Sequence, residues 1–246
     1  ILASSTECIV RHVRWPVMDG VTGEGLLLSP KGQEPTASVI AIPDADWSPE
    51  ALVGLTADSD ANPFVLQWVQ QGCEVLVPTV INRDHEFSGN PAVAFTNQPH
   101  REFVYRTSFE IGRHVIGYEV QKILAAVDHF VARRESQQQH RPIGVAGVGE
   151  GGLLAFYASA IDTRIESAMV CGYFDNREQI WREPIYRNVW SLLTEFSDAD
   201  IASLIAPRRL TIEACGVPEV DGPPAVTPGR RGGAAPGRIR TPPLAT

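Results

Sequence analysis

The chain has 246 residues, 43% of them hydrophobic and 20% charged, and a formal net charge of −8. That size suits one domain with a substantial core, and the acidic balance excludes a basic face of the kind that grips nucleic-acid phosphates or anionic membranes. No apolar run reaches the roughly 18–20 residues that would span a bilayer, so no membrane span is expected.

Strand and helix patterns alternate, which predicts an α/β domain with a doubly wound, mostly parallel sheet. Cys8 to Val17 and Glu24 to Leu28 read as a hairpin around Asp19-Gly20. Ser38 to Ile42 is a buried strand closed by Pro43. Asn62-Pro63 reads as the cap and first turn of a helix with an apolar face of Val65, Leu66, Trp68 and Val69. Glu74 to Val77 is the next strand. Residues 82–110 read as a long polar connection, a length that usually marks function or disorder. Val115, Ile116, Val120, Ile123, Leu124, Val127 and Phe130 then recur at helical spacing. Ile143 to Ala146 is a buried strand that runs through a glycine-rich turn into a helix from Leu153 to Ile161. Ala168 to Cys171 and Leu210 to Ile212 are further strands, with helical material between Ile185 and Phe196. From Pro218 the composition turns to proline and glycine. We expect residues 1–217 to form the domain and 218–246 a linker or disordered tail, since such a segment buries too little to offset its ordering entropy.

The turn Gly147-Val148-Gly149-Glu150-Gly151-Gly152 carries the functional argument. Its letters fit the dinucleotide pattern GxGxxG, but that pattern normally opens a βαβ unit, and no acid ends the next strand here, which closes on Cys171-Gly172-Tyr173. A phosphate-binding P-loop is excluded because no Gly-Lys-Ser/Thr follows. The turn also fits a nucleophile elbow, Gly-x-Ser-x-Gly, in which small residues two before and two after the apex let strand and helix cross closely. Centred on Gly149, those residues are Gly147 and Gly151.

Three stretches resemble the acetylxylan-esterase and dienelactone-hydrolase branch of the α/β-hydrolases. They are Gly112-Arg113-His114 with the helix through Asp128, the strand–turn–helix from Ile143 to Ile165, and Ile205-Ala206-Pro207-Arg208-Arg209-Leu210. The resemblance implies an α/β-hydrolase fold and carboxylic-ester hydrolysis by serine, histidine and acid. Against that pattern Gly149 stands at the nucleophile position and no histidine follows His140. On the same resemblance the final strand and helix of the fold are expected to be missing before the tail. The chain therefore reads either as an ester hydrolase by descent or as a catalytically silent module that binds a ligand or partner within a larger protein.

On the same resemblance the oxyanion donors would be the amide of Glu150 and the loop near Ala45, and the acid would be Glu213 or Glu219. Glu150 reads either as a replacement nucleophile or base, or as a helix cap favoured by the dipole. The strand ends gather polar loops that would line a cleft: Asp44 and Asp46; Arg83, Asp84, His85 and Glu86; Asp175 and Arg177. These read as loop caps and ion pairs rather than a metal site, and no cofactor is implied. His100, Arg101, Glu102 and Arg106 could also line the cleft, and Trp181, Tyr186 and Trp190 could form a sugar platform or core contacts. The expected ligand is a small ester or carbohydrate-like molecule, and a further domain beyond residue 246 is an open expectation. Cys8, Cys73, Cys171 and Cys215 form no CxxC pair and read as small buried hydrophobes, with a disulfide left open. Since the chain starts at Ile1, it reads as a fragment or processed form, and the compartment is left unassigned.

Overall fold

A computed structural model describes residues 1–56, 63–85 and 96–242. In chain order, β1 (Ala3–Ser4), β2 (Cys8–Met18), β3 (Val21–Pro30) and β4 (Ala37–Ile42) precede α1 (Pro49–Leu52) and α2 (Pro63–Gln70). β5 (Cys73–Pro78), α3 (His100–Glu110), α4 (Val115–Ser136), β6 (Ile143–Val148) and α5 (Glu150–Ile161) follow. β7 (Ser167–Cys171), α6 (Leu192–Glu195), α7 (Asp198–Ile205), β8 (Arg209–Glu213), β9 (Val220–Gly222) and β10 (Gly237–Ile239) complete the order.

The main sheet runs β1-β2-β3-β5-β4-β6-β7-β8. It is antiparallel as far as β5 and parallel from β5 to β8. Successive residues of a strand point to opposite faces, and the central strands are apolar at both parities. Leu27, Ile40, Ile42 and Leu76 therefore pack on one face with α4, α5 and α7. Leu26, Leu28, Ala41, Val75 and Val77 pack on the other with Leu52, Val65 and Val69 of α1 and α2. Leu26, Leu28 and Ile40 are fully buried, each contributing about 1.5–3 kcal/mol. Leu153, Leu154, Ala155, Phe156 and Ala158 are fully buried as well, so α5 is a central helix rather than an amphipathic one. At the opposite end of the sheet from β1, β8 is an edge strand with Thr211, Ile212 and Glu213 exposed.

Two segments differ from their sequence-based expectation. The connection 82–110 contains α3, whose buried face is polar, with Arg101, Glu102 and Ser108, so apolar periodicity gave no sign of it. The Pro/Gly-rich segment contains β9 and β10, which pair antiparallel. It is held by hydrogen bonds and by the buried side chain of Ile239. The Ala235 amide donates to Glu102 Oε1 at 2.9 Å and the Ala234 amide to Asn97 Oδ1 at 3.0 Å. Asn62, the expected cap of α2, lies outside the described residues.

Candidate functional site

β6 ends at Val148 and α5 begins at Glu150, so the chain reverses on Gly149 alone, with φ 57° and ψ −113°. A side-chain-bearing residue is strained there. The bend is tight because its flanks carry no Cβ. A Cβ on Gly147 would stand 2.0 Å from the Gly151 carbonyl oxygen, and one on Gly151 would stand 2.2 Å from that of Ile42. Gly149 is thus the apex of the strand-to-helix turn, at the carboxyl edge of the parallel strands.

The space above that apex is filled by Asp44, from the loop after β4. Its Oδ2 lies 2.3 Å from where a Cβ on Gly149 would stand. The same Oδ2 accepts the Glu150 amide at 2.8 Å, and Oδ1 accepts the Asp46 amide at 3.0 Å. Asp44 is 1% exposed and is bound at both oxygens by Arg83, at 2.6 and 3.2 Å. The amide expected to stabilise an oxyanion therefore already holds an anion belonging to the protein. Ala45 is buried beside it.

Glu150 is fully buried in a cage of three arginines. Its Oε2 accepts from Arg83 at 3.1 Å and Arg187 at 2.9 Å, and its Oε1 accepts from Arg101 at 3.1 Å. Burial alone would push its pKa up, but Arg187, Arg101 and Arg83 together hold it well below the usual carboxylate range. The arginines are themselves shared. Arg83 also pairs with Asp46 at 2.9 Å, Arg101 with buried Glu119 at 2.6 Å, and Arg187 with Glu183 at 3.2 Å. Burial raises Asp46 despite its pairing with Arg83. Arg101 also lies over the ring of buried Tyr186, 5.5 Å from its centroid. A carboxylate so strongly stabilised in its charged form is a poor base near neutral pH.

The other expected residues fall into three groups. Asp46, Arg83 and Asp84 line a polar cleft of about 560 Å³ beside the apex, together with His12, Trp47 and Asn82. Arg177 is buried elsewhere, bonded to Asp198 at 3.2 Å and Glu183 at 2.6 Å, while Asp175 caps its own loop through the Asn176 amide. Glu213 accepts from the Cys171 thiol at 3.5 Å, and exposed Glu219 pairs with Arg240 at 3.6 Å. His85 is half-buried, and Glu86 lies outside the described residues. Tyr186 is buried whereas Trp181 and Trp190 are 69% and 79% exposed, so the three form no common platform. Among the described residues, no group of three or more His, Cys, Asp or Glu side chains is placed to hold a metal ion. No described helix is long and apolar enough to cross a membrane.

Glu119 and Arg187 were not singled out in the sequence. Glu119 had a legible signal, since it falls four residues after Val115 and four before Ile123, on the apolar stripe of α4. A glutamate there must be paired once the stripe is buried. Arg187 ends a single 3-10 turn, Ile185–Arg187, too short to show a periodic pattern, and had none.

His114 stands at the start of α4. Its Nδ1 accepts the Ile116 amide at 3.1 Å and caps α4, while Nε2 meets the Asn188 carbonyl at 3.1 Å. This fixes a neutral imidazole with its proton on Nε2. Burial lowers the pKa of His114 below the ordinary 6.5, as it does for His100 and His129. Each group binds its proton more readily unfolded than folded, so stability must fall as pH drops below about 6.5. Urea unfolding at pH 7.5 and 5.5 should give a lower midpoint at 5.5, and His114→Asn should reduce that difference.

No family model matches the chain. Over 111 residues it is 31% identical to the Bacillus subtilis "Putative hydrolase YtaP", an alignment covering 43% of this chain and 36% of that protein. Its fold matches a "putative acetyl xylan esterase" of Bacteroides fragilis with a TM-score of 0.67 and 17% identity, over 87% of this chain and 61% of that one. A "Putative Dienelactone Hydrolase" of Klebsiella pneumoniae aligns with a TM-score of 0.47 and 14% identity, over 83% of this chain and 70% of that one. The stretches matched thus amount to about a third of the first protein and three-fifths of the second. The class defined is an α/β-hydrolase-type fold, a mostly parallel eight-stranded mixed sheet flanked by helices.

Proposed function

We propose that this chain is an α/β-hydrolase-fold module without serine catalysis of its own, whose carbonyl-binding position is filled by Asp44. The observation that carries this reading is the fit of Asp44 against Gly149. The carboxylate occupies the volume where a nucleophile's Cβ would stand and takes the amide that would bind an oxyanion. An internal anion at that amide competes with any developing oxyanion. Glu150 is a weak candidate for a substitute nucleophile, because it is fully buried and both its oxygens accept from arginines.

The retained role is then recognition of a small ester or carbohydrate-like ligand at the neighbouring cleft. There Asp46, Asp84 and Asn82 offer hydrogen-bonding groups to hydroxyls and Trp47 offers an aromatic wall. The test is p-nitrophenyl acetate hydrolysis by the native chain and by Glu150→Gln, alongside calorimetric titration with an acetylated xylo-oligosaccharide. The expected result is release no faster than in buffer for both proteins, with ligand heat from the native chain. Turnover by the native chain that disappears in a folded Glu150→Gln protein would replace this reading with a carboxylate-dependent esterase.

A further inference from the structure

Two thiols outside the arginine cage meet at the same edge of the sheet. Cys171 ends β7, is buried, and stands opposite Glu213 on the parallel neighbour β8. Two residues further on, Cys215 lies against the end of β7. Its Sγ is 3.5 Å, and its carbonyl oxygen 3.0 Å, from where a Cβ on Gly172 would stand. The Cys171 thiol donates to Glu213 Oε2 at 3.5 Å, and the Cys171 and Cys215 thiols are near enough to perturb each other's protonation. Both cysteines are free, and Cys215 is only half-buried. By contrast, Cys8 and Cys73 lie on β2 and β5, which β3 separates.

We propose that Cys171 and Cys215 form a reversible disulfide that fastens the segment after β8 to the end of β7, with a small-molecule disulfide as the oxidant. The accessible Cys215 thiolate attacks the small disulfide, forming a mixed disulfide and releasing one small thiolate. The Cys171 thiol gives its proton to Glu213, and its sulfur attacks Cys215 Sγ, releasing the second small thiolate. The protein loses two electrons and two protons, and the small disulfide is reduced to two thiols. This cross-link would stand one backbone hydrogen bond from the apex, because the Gly149 amide donates to the Cys171 carbonyl at 2.9 Å. Burial pushes the Cys171 thiol up to about 12 and raises Cys215 as well, so exchange should be slow at pH 7 and faster at pH 9.

The experiment is to incubate the full chain with oxidised glutathione, alkylate the remaining thiols, digest without reduction and examine the peptides by mass spectrometry. We expect one linked species joining the Cys171 and Cys215 peptides, reversed by dithiothreitol, with Cys8 and Cys73 alkylated throughout. In Cys171→Ser the reaction should stop at a glutathione adduct on Cys215. A stable adduct on Cys215 of the native chain without linkage would overturn the proposal. So would loss of alkylation confined to Cys8 or Cys73, or no oxidation at all at pH 9. The native-chain readout decides the matter even if the variant does not fold.

Discussion

Replacing Glu150 with glutamine lowers the unfolding free energy by about 3–5 kcal/mol, the usual cost of removing one side of a buried ion pair. The carboxylate is fully buried and accepts from Arg83, Arg101 and Arg187 at 2.9–3.1 Å, so the substitution leaves three desolvated cations short of one counter-charge. The effect should lie toward the lower end, because each arginine keeps a second partner in Asp44, Glu119 or Glu183. For a chain of this length that means a fall in Tm of roughly 10 °C. The pH dependence has a definite sign. The folded-state pKa of Glu150 is depressed, so its contribution is fully present above the ordinary carboxylate value and is lost only as pH falls through the folded value. The gap between native and variant proteins should therefore be as wide at pH 5 as at pH 7 and still be open at pH 4. Urea unfolding of both proteins at those pH values measures it. Equal stabilities at pH 7 would mean that the cage contributes nothing to the fold.

The parts of this architecture that were legible in the sequence are those set by apolar spacing. The strands Ala37–Ile42 and Ile143–Val148 were readable from Ser38 to Ile42 and from Ile143 to Ala146, and α4 as a 3.6-residue stripe. The apex was readable too, because only glycines at 147 and 151 let strand and helix cross at that separation. Apart from Glu119 on the α4 stripe, what governs the site was not readable, for a physical reason. Asp44, Arg83, Arg101 and Arg187 come from separate loops and helices, and pairing of buried charges between them leaves no periodic trace. α3 escaped for the same reason, since the face it buries carries Arg101 and Glu102 rather than leucines. Asp44 was visible as a polar loop residue, but only the folded backbone brings its carboxylate over Gly149.

That contact yields the second large effect. Gly149→Ala is expected to cost about 2–4 kcal/mol, from the positive φ and from overlap with a neighbour that cannot retreat. The neighbour is Asp44 Oδ2, 2.3 Å from the new methyl group and pinned by Arg83 and the Glu150 amide. Asp44→Ala alone is also destabilising, because it strips Arg83 of its bidentate partner and leaves the Glu150 amide without its acceptor. Its removal, however, opens the volume that a methyl at 149 requires. The two losses should therefore not add. The double variant should be about 0.5–3 kcal/mol more stable than the sum of the single changes predicts, the range found for residues in direct contact. Urea unfolding of the four proteins closes the cycle. On the proposed reading the same geometry bears on chemistry, because a serine at 149 would meet the same carboxylate and find the Glu150 amide already donating to Asp44. Gly149→Ser alone should give no burst of p-nitrophenol from p-nitrophenyl acetate, and any gain should require Asp44→Ala as well. Strict additivity in the cycle, or a burst from Gly149→Ser alone, would show that Asp44 does not close the apex.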